Sequence, residues 1–148
     1  MQAPPKWYRP VCVLALLWNL LGCAAYLSDV TLTADDVAKM TAGQQALYAA
    51  RPAWAVAATA IAVWGGALGC VGLILRKRWA TPPLLASMAA LIVQDIALFG
   101  MTDVVAVSGP AVLVMQGMVF VIAVALVLLA RKAEAAGWFG DTTAAGRA

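Results

Sequence analysis

Histidine is absent from the 148 residues of this sequence, cysteine occurs three times, and only 11% of the residues are charged. Without histidine the chain lacks the commonest metal ligand and the usual acid–base group near neutral pH. Cys12, Cys23 and Cys70 form no Cys-x-x-Cys pair, and we interpret them as buried apolar thiols. Because no nucleophilic or paired-carboxylate motif is present, we expect no enzyme and no cofactor.

Charge is scarce because apolar residues make up 64% of the chain. A soluble domain carries roughly 45–50% apolar and about 25% charged residues. The composition therefore excludes a soluble domain, a disordered chain and a nucleic-acid-binding module, and it favours a small membrane protein.

Four apolar segments are each close to the roughly 20 residues that a helix needs to cross a bilayer core of about 30 Å. They cover residues 10–27, 53–75, 83–101 and 110–130, and a proline lies at or just before the start of each one. Proline is tolerated in a first helical turn, where its missing N–H has no helical acceptor. The sequence thus predicts an all-α fold, an integral membrane four-helix bundle in a single domain over residues 1–132.

The basic residues predict how this bundle is oriented. Eight of the ten fall on one side of the four segments, and the positive-inside rule assigns that side to the cytoplasm. These eight are Lys6, Arg9, Arg76, Lys77, Arg78, Arg131, Lys132 and Arg147. We therefore expect a multi-pass protein with both termini in the cytoplasm and a cytoplasmic tail over residues 133–148 that is frayed from Asp141 onwards. The net positive charge is then a topology signal, and we expect the lipid bilayer and no nucleic acid as partner.

The first segment has a second interpretation, as a secretory signal. A basic start precedes an apolar stretch, and Leu20, Leu21, Gly22 and Cys23 resemble the motif before a lipidated cysteine. Asn19 interrupts the apolar core, however, and apolar residues continue through Leu27. We expect an uncleaved first span, and a mass measurement of the mature chain distinguishes the two cases.

The loop between the first two spans, residues 28–51, contains a helix signal. Thr33 and Asp36 have the spacing of a capping box, and apolar residues follow at helical spacing. We expect a short amphipathic helix from Ala34 to Ala49 on the outer surface. It serves as a lid over the helix ends, or as a gate or docking surface.

Small residues in the second span form a packing surface. Gly65 and Gly69 make a Gly-x-x-x-Gly pair, and Gly66 continues a neighbouring stripe with Ala58 and Ala62. Small residues let membrane helices approach closely. The spacing does not decide whether the stripe contacts this chain's own bundle or another protein.

Polar residues inside the spans give the candidate site. Asp95 and Gln94 lie in the third span, Gln116 in the fourth and Asn19 in the first, and their depths allow one cluster around Asp95. An ionised aspartate at the centre of a membrane helix costs about 2.5–3.5 kcal/mol, so such residues often mark ion or proton paths. Three alternatives stay open: Asp95 fixes helix packing, takes part in proton or solute movement, or reaches the outer interface.

Several segments resemble a group of short bacterial inner-membrane proteins with four spans that are often named sugar transporter or sugar:proton symporter. The resemblance rests on Trp18–Gly22, Leu47 with Tyr48, Pro52–Trp54, Gly65–Gly69 and Leu75–Ala80. It implies a proton-coupled transporter of a small solute in a bacterial inner membrane. Because four spans are few for a complete carrier, we expect it to act as an oligomer. The alternative is an accessory or assembly subunit that packs through its small-residue stripe against a larger membrane complex.

Overall fold

The computed structural model describes residues 2–140, and over this range the chain is helical without a β-strand. Its helices are α1 (Tyr8–Val30), α2 (Ala34–Ala38), α3 (Ala42–Ala50), α4 (Ala53–Ile74), α5 (Thr81–Met101), α6 (Val104–Ser108) and α7 (Ala111–Ala135). A 3₁₀ turn, Arg78–Ala80, leads into α5. Four of the helices, α1, α4, α5 and α7, are long and apolar enough to cross a membrane. The prediction of an all-α chain with four such helices is confirmed.

Three of the four spanning helices, α1, α5 and α7, extend beyond the apolar segments that predict them. α1 begins at Tyr8, so Pro10 lies in its first turn, where the lost N–H has no helical partner. α7 continues past Ala130 to Ala135 and includes Arg131 and Lys132. A helix satisfies its backbone in water as well as in lipid, so charged residues mark the edge of the membrane and not the end of the helix.

The spanning helices pack in chain order, α1 against α4, α4 against α5 and α5 against α7. Because they alternate in direction, residues 2–8, 75–81 and 131–140 meet at one end of the bundle, here called the basic end. The opposite end, which holds α2, α3 and α6, is called the loop end. α1 and α7 have few contacts with each other, so the ring of four helices is not closed.

The main core lies at the basic end. It combines small, aliphatic and aromatic side chains from every spanning helix and from the segments beside them: Tyr8, Cys12, Cys70, Leu73, Ala80, Leu84, Leu126, Val127, Ala130, Ala133, Trp138 and Phe139. Residues 133–140, which the sequence assigns to a tail, therefore pack into the bundle. The frayed end predicted from Asp141 onwards, including Arg147, lies outside the described residues.

Arg76 ties three segments together at the basic end. Its Nε donates to the carbonyl of Trp138 at 2.8 Å, its Nη2 donates to that of Gln2 at 3.2 Å, and its own carbonyl accepts from Gly140 N–H at 3.0 Å. Arg76 has φ +56°, a left-handed conformation that costs a non-glycine residue roughly 1–2 kcal/mol. The three hydrogen bonds hold the loop between α4 and α5 in this conformation.

Two short helices, α2 and α3, occupy the stretch for which the sequence predicts one. The capping box of Thr33 and Asp36 is present, and Thr41 forms a second one with Gln44. Thr41 has an extended backbone and caps a new helix. The residues just before it therefore end α2 instead of continuing it.

The small-residue stripe of α4 contacts α5 of the same chain. A Cβ at Gly65 would lie 3.1 Å from the Pro83 carbonyl oxygen, and one at Gly69 would overlap the Leu84 side chain. Glycine is required here because the two backbones approach closely. The stripe is thus occupied within the bundle.

Candidate functional site

A cavity of about 650 Å³ lies among the four spanning helices and opens toward the loop end. It extends from Asp29 and Arg51 at its mouth to Asn19 and Leu84 near the middle of the bundle. Small residues such as Gly22, Ala25, Ala55, Ala62 and Ala97 line much of it and leave this space unfilled. Its volume is within the range of small-molecule sites.

The mouth of the cavity carries an ion pair between two helix ends. Arg51 Nη1, just before α4, lies 2.5 Å from Asp29 Oδ2 near the end of α1. The Arg51 guanidinium also lies 4.9 Å from the centre of the Tyr48 ring, at cation–π distance. The pair leaves the mouth with little net charge.

Asn19 lies at the inner end of the cavity and is held by its own neighbourhood. Its Nδ2 donates to the Ala15 carbonyl at 2.9 Å and approaches Cys70 Sγ at 3.5 Å. Its Oδ1 lies against Gly66, where a Cβ would overlap it. Asn19 therefore lines the cavity but makes no hydrogen bond to Asp95.

Asp95 pairs with Gln116 across α5 and α7. Gln116 Nε2 donates to Asp95 Oδ1 at 3.2 Å. Gln116 also lines the cavity, whereas Asp95 does not. The Asp95 carboxylate is thus linked to the cavity by its hydrogen bond to the Gln116 amide.

Gln94 lines the cavity directly, beside Leu91 and Ala97 of the same helix. Successive residues on an α-helix are about 100° apart, so Gln94 and Asp95 face different neighbours. Over residues 2–140 the Gln94 amide has no hydrogen-bond partner. It is available to a bound molecule as both donor and acceptor. The four predicted residues therefore do not form one hydrogen-bonded cluster. Asp95 bonds to Gln116, and Asn19 and Gln94 each line the cavity separately.

Two hydroxyl groups in the wall offer acceptors. Thr59 Oγ1 lies 3.0 Å from the Ala55 carbonyl, and Ser87 Oγ lies 2.5 Å from the Ala62 carbonyl across the α4–α5 contact. Carbonyl oxygens only accept, so each hydroxyl donates its proton to the carbonyl and keeps its own lone pairs free to accept a hydrogen bond. The wall thus offers two hydroxyl acceptors beside the amides.

Sequence reasoning missed Ser87 and the Asp29–Arg51 pair. Ser87 comes seven residues, or two helical turns, before Gln94, and that spacing is a usable signal for a shared face. The ion pair joins residues 22 positions apart and has no such signal.

Among the described residues, no three His, Cys, Asp or Glu side chains come together in a way that would hold a metal ion. Comparison of the chain with protein-family models, with curated proteins and with solved structures finds no match. The resemblance to small sugar-transporter proteins stays a prediction.

Proposed function

We propose that this protein is a small transporter subunit that binds one solute in the cavity at the loop end and couples its movement to a proton. The observation that carries the proposal is the cavity itself. All four spanning helices contribute to its lining, and Asn19, Thr59, Ser87, Gln94 and Gln116 supply polar groups at membrane depth. Polar side chains at this depth are costly and are typical of solute paths.

The Asp95–Gln116 pair supplies the coupling step. Asp95 is the only carboxylate in the four spans away from their ends. When Asp95 is ionised, the Gln116 NH₂ donates to it and the amide oxygen is left for the cavity. When Asp95 takes up a proton, it donates to the amide oxygen and leaves the NH₂ for the cavity. One proton therefore changes which group of Gln116 a solute meets.

Four spans in one chain are few for a complete carrier, so the proposal includes a homo-oligomer in a bacterial inner membrane, with the basic end in the cytoplasm. The exposed sides of α1 and α7 are broad and apolar, as at Val13, Leu17, Val114 and Val121. The accessory-subunit alternative relied on the small-residue stripe, which contacts α5 of this chain. The transporter is therefore the better supported function.

The experiment measures from which side of the membrane the cavity is reached. A cysteine at Thr59 (Thr59→Cys), in a chain whose native cysteines are replaced, is labelled with a membrane-impermeant maleimide in vesicles of both orientations. A transporter exposes its cavity to the two sides in turn, so we expect labelling from both. Lys39→Cys at the loop end and Arg9→Cys at the basic end serve as controls that label from one side only.

The coupling step is tested in the same vesicles with Asp95→Asn. In the parent chain we expect the ratio of labelling from the two sides to change with pH. Asparagine cannot ionise, so the variant is expected to hold one ratio at every pH. Labelling of Thr59→Cys from a single side at all pH values contradicts transport. A pH-dependent ratio in Asp95→Asn contradicts the role of the carboxylate.

A further inference from the structure

A second, smaller space adjoins the cavity on the open side of the bundle. It is a groove of about 400 Å³ between α1 and α7, and its lining is apolar. Val11, Leu14 and Ala15 form one wall, and Ala125 and Leu129 form the other. The groove covers the half of the bundle nearer the basic end, whereas the cavity covers the half nearer the loop end.

The cavity and the groove lie side by side and share part of their walls. Trp18, Ile122 and Leu126 border both of them. The shared border lies where α1 and α7 have few contacts with each other. A bound molecule therefore has a cavity that carries a few polar side chains, an apolar groove beside it and a lateral opening between α1 and α7.

The lining also restricts the charge of the polar part. Inside the mouth, the polar groups of the cavity are amides and hydroxyls, namely Asn19, Thr59, Ser87, Gln94 and Gln116. Asp95 is bonded to Gln116 and does not line the cavity. A charged group placed among these amides and hydroxyls would therefore touch no side chain of opposite charge, which is strongly unfavourable. The Thr59 and Ser87 hydroxyls donate to backbone carbonyls and keep lone pairs for a ligand, so a head group that carries hydroxyl donors suits them.

We infer that the cavity and the groove together bind one single-chain amphiphile, with its neutral, hydroxyl-bearing head among the amides of the cavity and its chain in the α1–α7 groove. The ligand enters sideways from the bilayer through the gap between these helices. The inference rests on the proposed function, because it names the class of solute that the cavity takes.

The test uses the intact protein in lipid nanodiscs and a monoacylglycerol brominated in the middle of its chain. Bromine quenches tryptophan at contact, and Trp18 borders both spaces. Quenching by free lipid rises steadily with the fraction of probe in the bilayer. Binding at the site adds a saturable component, which we expect in the parent chain and expect to disappear in Trp18→Phe.

A matched pair of variants locates the chain of the probe. Ala125→Phe fills the groove from an exposed position, and we expect it to raise the half-saturating probe fraction about tenfold or more, equivalent to about 1.4 kcal/mol. Ala24→Phe makes the same change at an exposed α1 position that lines neither space, and we expect no shift. Brominated stearate, whose head is charged, and glycerol, which lacks the chain, are not expected to compete.

Quenching that never saturates in the parent chain overturns the inference, as does saturable quenching that survives in Trp18→Phe or is equally weakened by both phenylalanine variants. Saturable binding of the stearate overturns the neutral-head assignment. These results are independent of the labelling experiment. One-sided labelling of Thr59→Cys with saturable binding removes transport and leaves the site, whereas two-sided labelling without binding removes only the amphiphile.

Discussion

The two ends of this bundle are built from the same four helices yet differ in how they are filled. At the basic end, Tyr8, Leu73 and Ala130 are fully buried, and Arg76 joins three segments by hydrogen bonds. At the loop end the helices enclose a cavity of about 650 Å³. The comparison shows that hydrophobicity, which both ends share, does not by itself close an end of the bundle. At the basic end, large buried side chains fill the space between the helices.

Polar groups at the loop end mostly bond within their own helix or to an adjacent one. Thr59 bonds to Ala55 and Asn19 to Ala15, each four residues away. Such bonds satisfy the side chain without drawing another helix inward. The loop end can therefore stay open without leaving these polar groups unsatisfied. From this difference between the two ends we make the following predictions.

Removal of the Tyr8 side chain is expected to have the largest effect. The Tyr8 hydroxyl donates to the Leu73 carbonyl at 2.8 Å, and its ring packs against that of Trp138. Tyr8→Ala leaves a void in the closed end, and we expect a loss of about 3–5 kcal/mol in stability. Trp54→Ala, at a half-exposed loop-end position, is the control. Equal decreases in the thermal midpoint in detergent would contradict the comparison.

Enlargement of an alanine on α7 tests the difference in packing directly. Ala130 is fully buried in the basic-end core, and Ala123 lines the cavity. We expect Ala130→Leu to cost about 1–3 kcal/mol, because a filled core has no room for the extra atoms. Ala123→Leu has free volume beside it and is expected to change stability by less than about 1 kcal/mol. Thermal unfolding of the two variants measures both stability losses. A larger loss for Ala123→Leu than for Ala130→Leu would show that the cavity is not open.

Removal of the ion pair at the mouth is expected to have a smaller effect. Asp29 and Arg51 are each about one-third exposed, and solvent-screened pairs contribute roughly 0–1 kcal/mol. We expect Asp29→Asn to cost an amount in this range at low salt and almost nothing at high salt. Denaturation at two ionic strengths measures this difference. A large loss that is unaffected by salt would mean that the pair closes the loop end.

The smallest effect is expected at the capping box of α2, which lies outside the bundle. The hydrogen bonds from Thr33 hold the pKa of Asp36 below its usual value of 3.8. Capping by this carboxylate is therefore complete above the usual pKa and is lost as the pH falls through the lower folded value. We expect Thr33→Ala to raise the pKa of Asp36 toward 3.8, as measured by carboxyl NMR titration. Thr41→Ala, whose partner Gln44 does not ionise, is the control and is expected to leave the Asp36 pKa unchanged.

The four spans and the starts of three of them follow from composition and proline placement, because bilayer thickness fixes the length of an apolar helix. The ends of α1 and α7 do not follow, since charged residues continue a helix outside the membrane. The left-handed backbone conformation of Arg76 could not be predicted from the sequence either. Its partners, Gln2 and Trp138, are 74 and 62 residues away.

Individual members of the candidate site are recognisable because polar residues in a span are rare. Their grouping is not recognisable, because depth along a helix does not give direction around it. Gln94 and Asp95 have nearly the same depth, yet Gln94 faces the cavity and Asp95 faces Gln116. Asn19 has a suitable depth but bonds to Ala15 of its own helix.

The packing of each spanning helix against the one before it has a consequence for biogenesis. A chain that enters the membrane from α1 onwards finds the partner of every new helix already in place, so no apolar face has to wait for a distant segment. The hydrogen bonds that Arg76 makes to Trp138 and Gly140 form only after α7 has been synthesised. The last step of assembly is thus the sealing of the basic end.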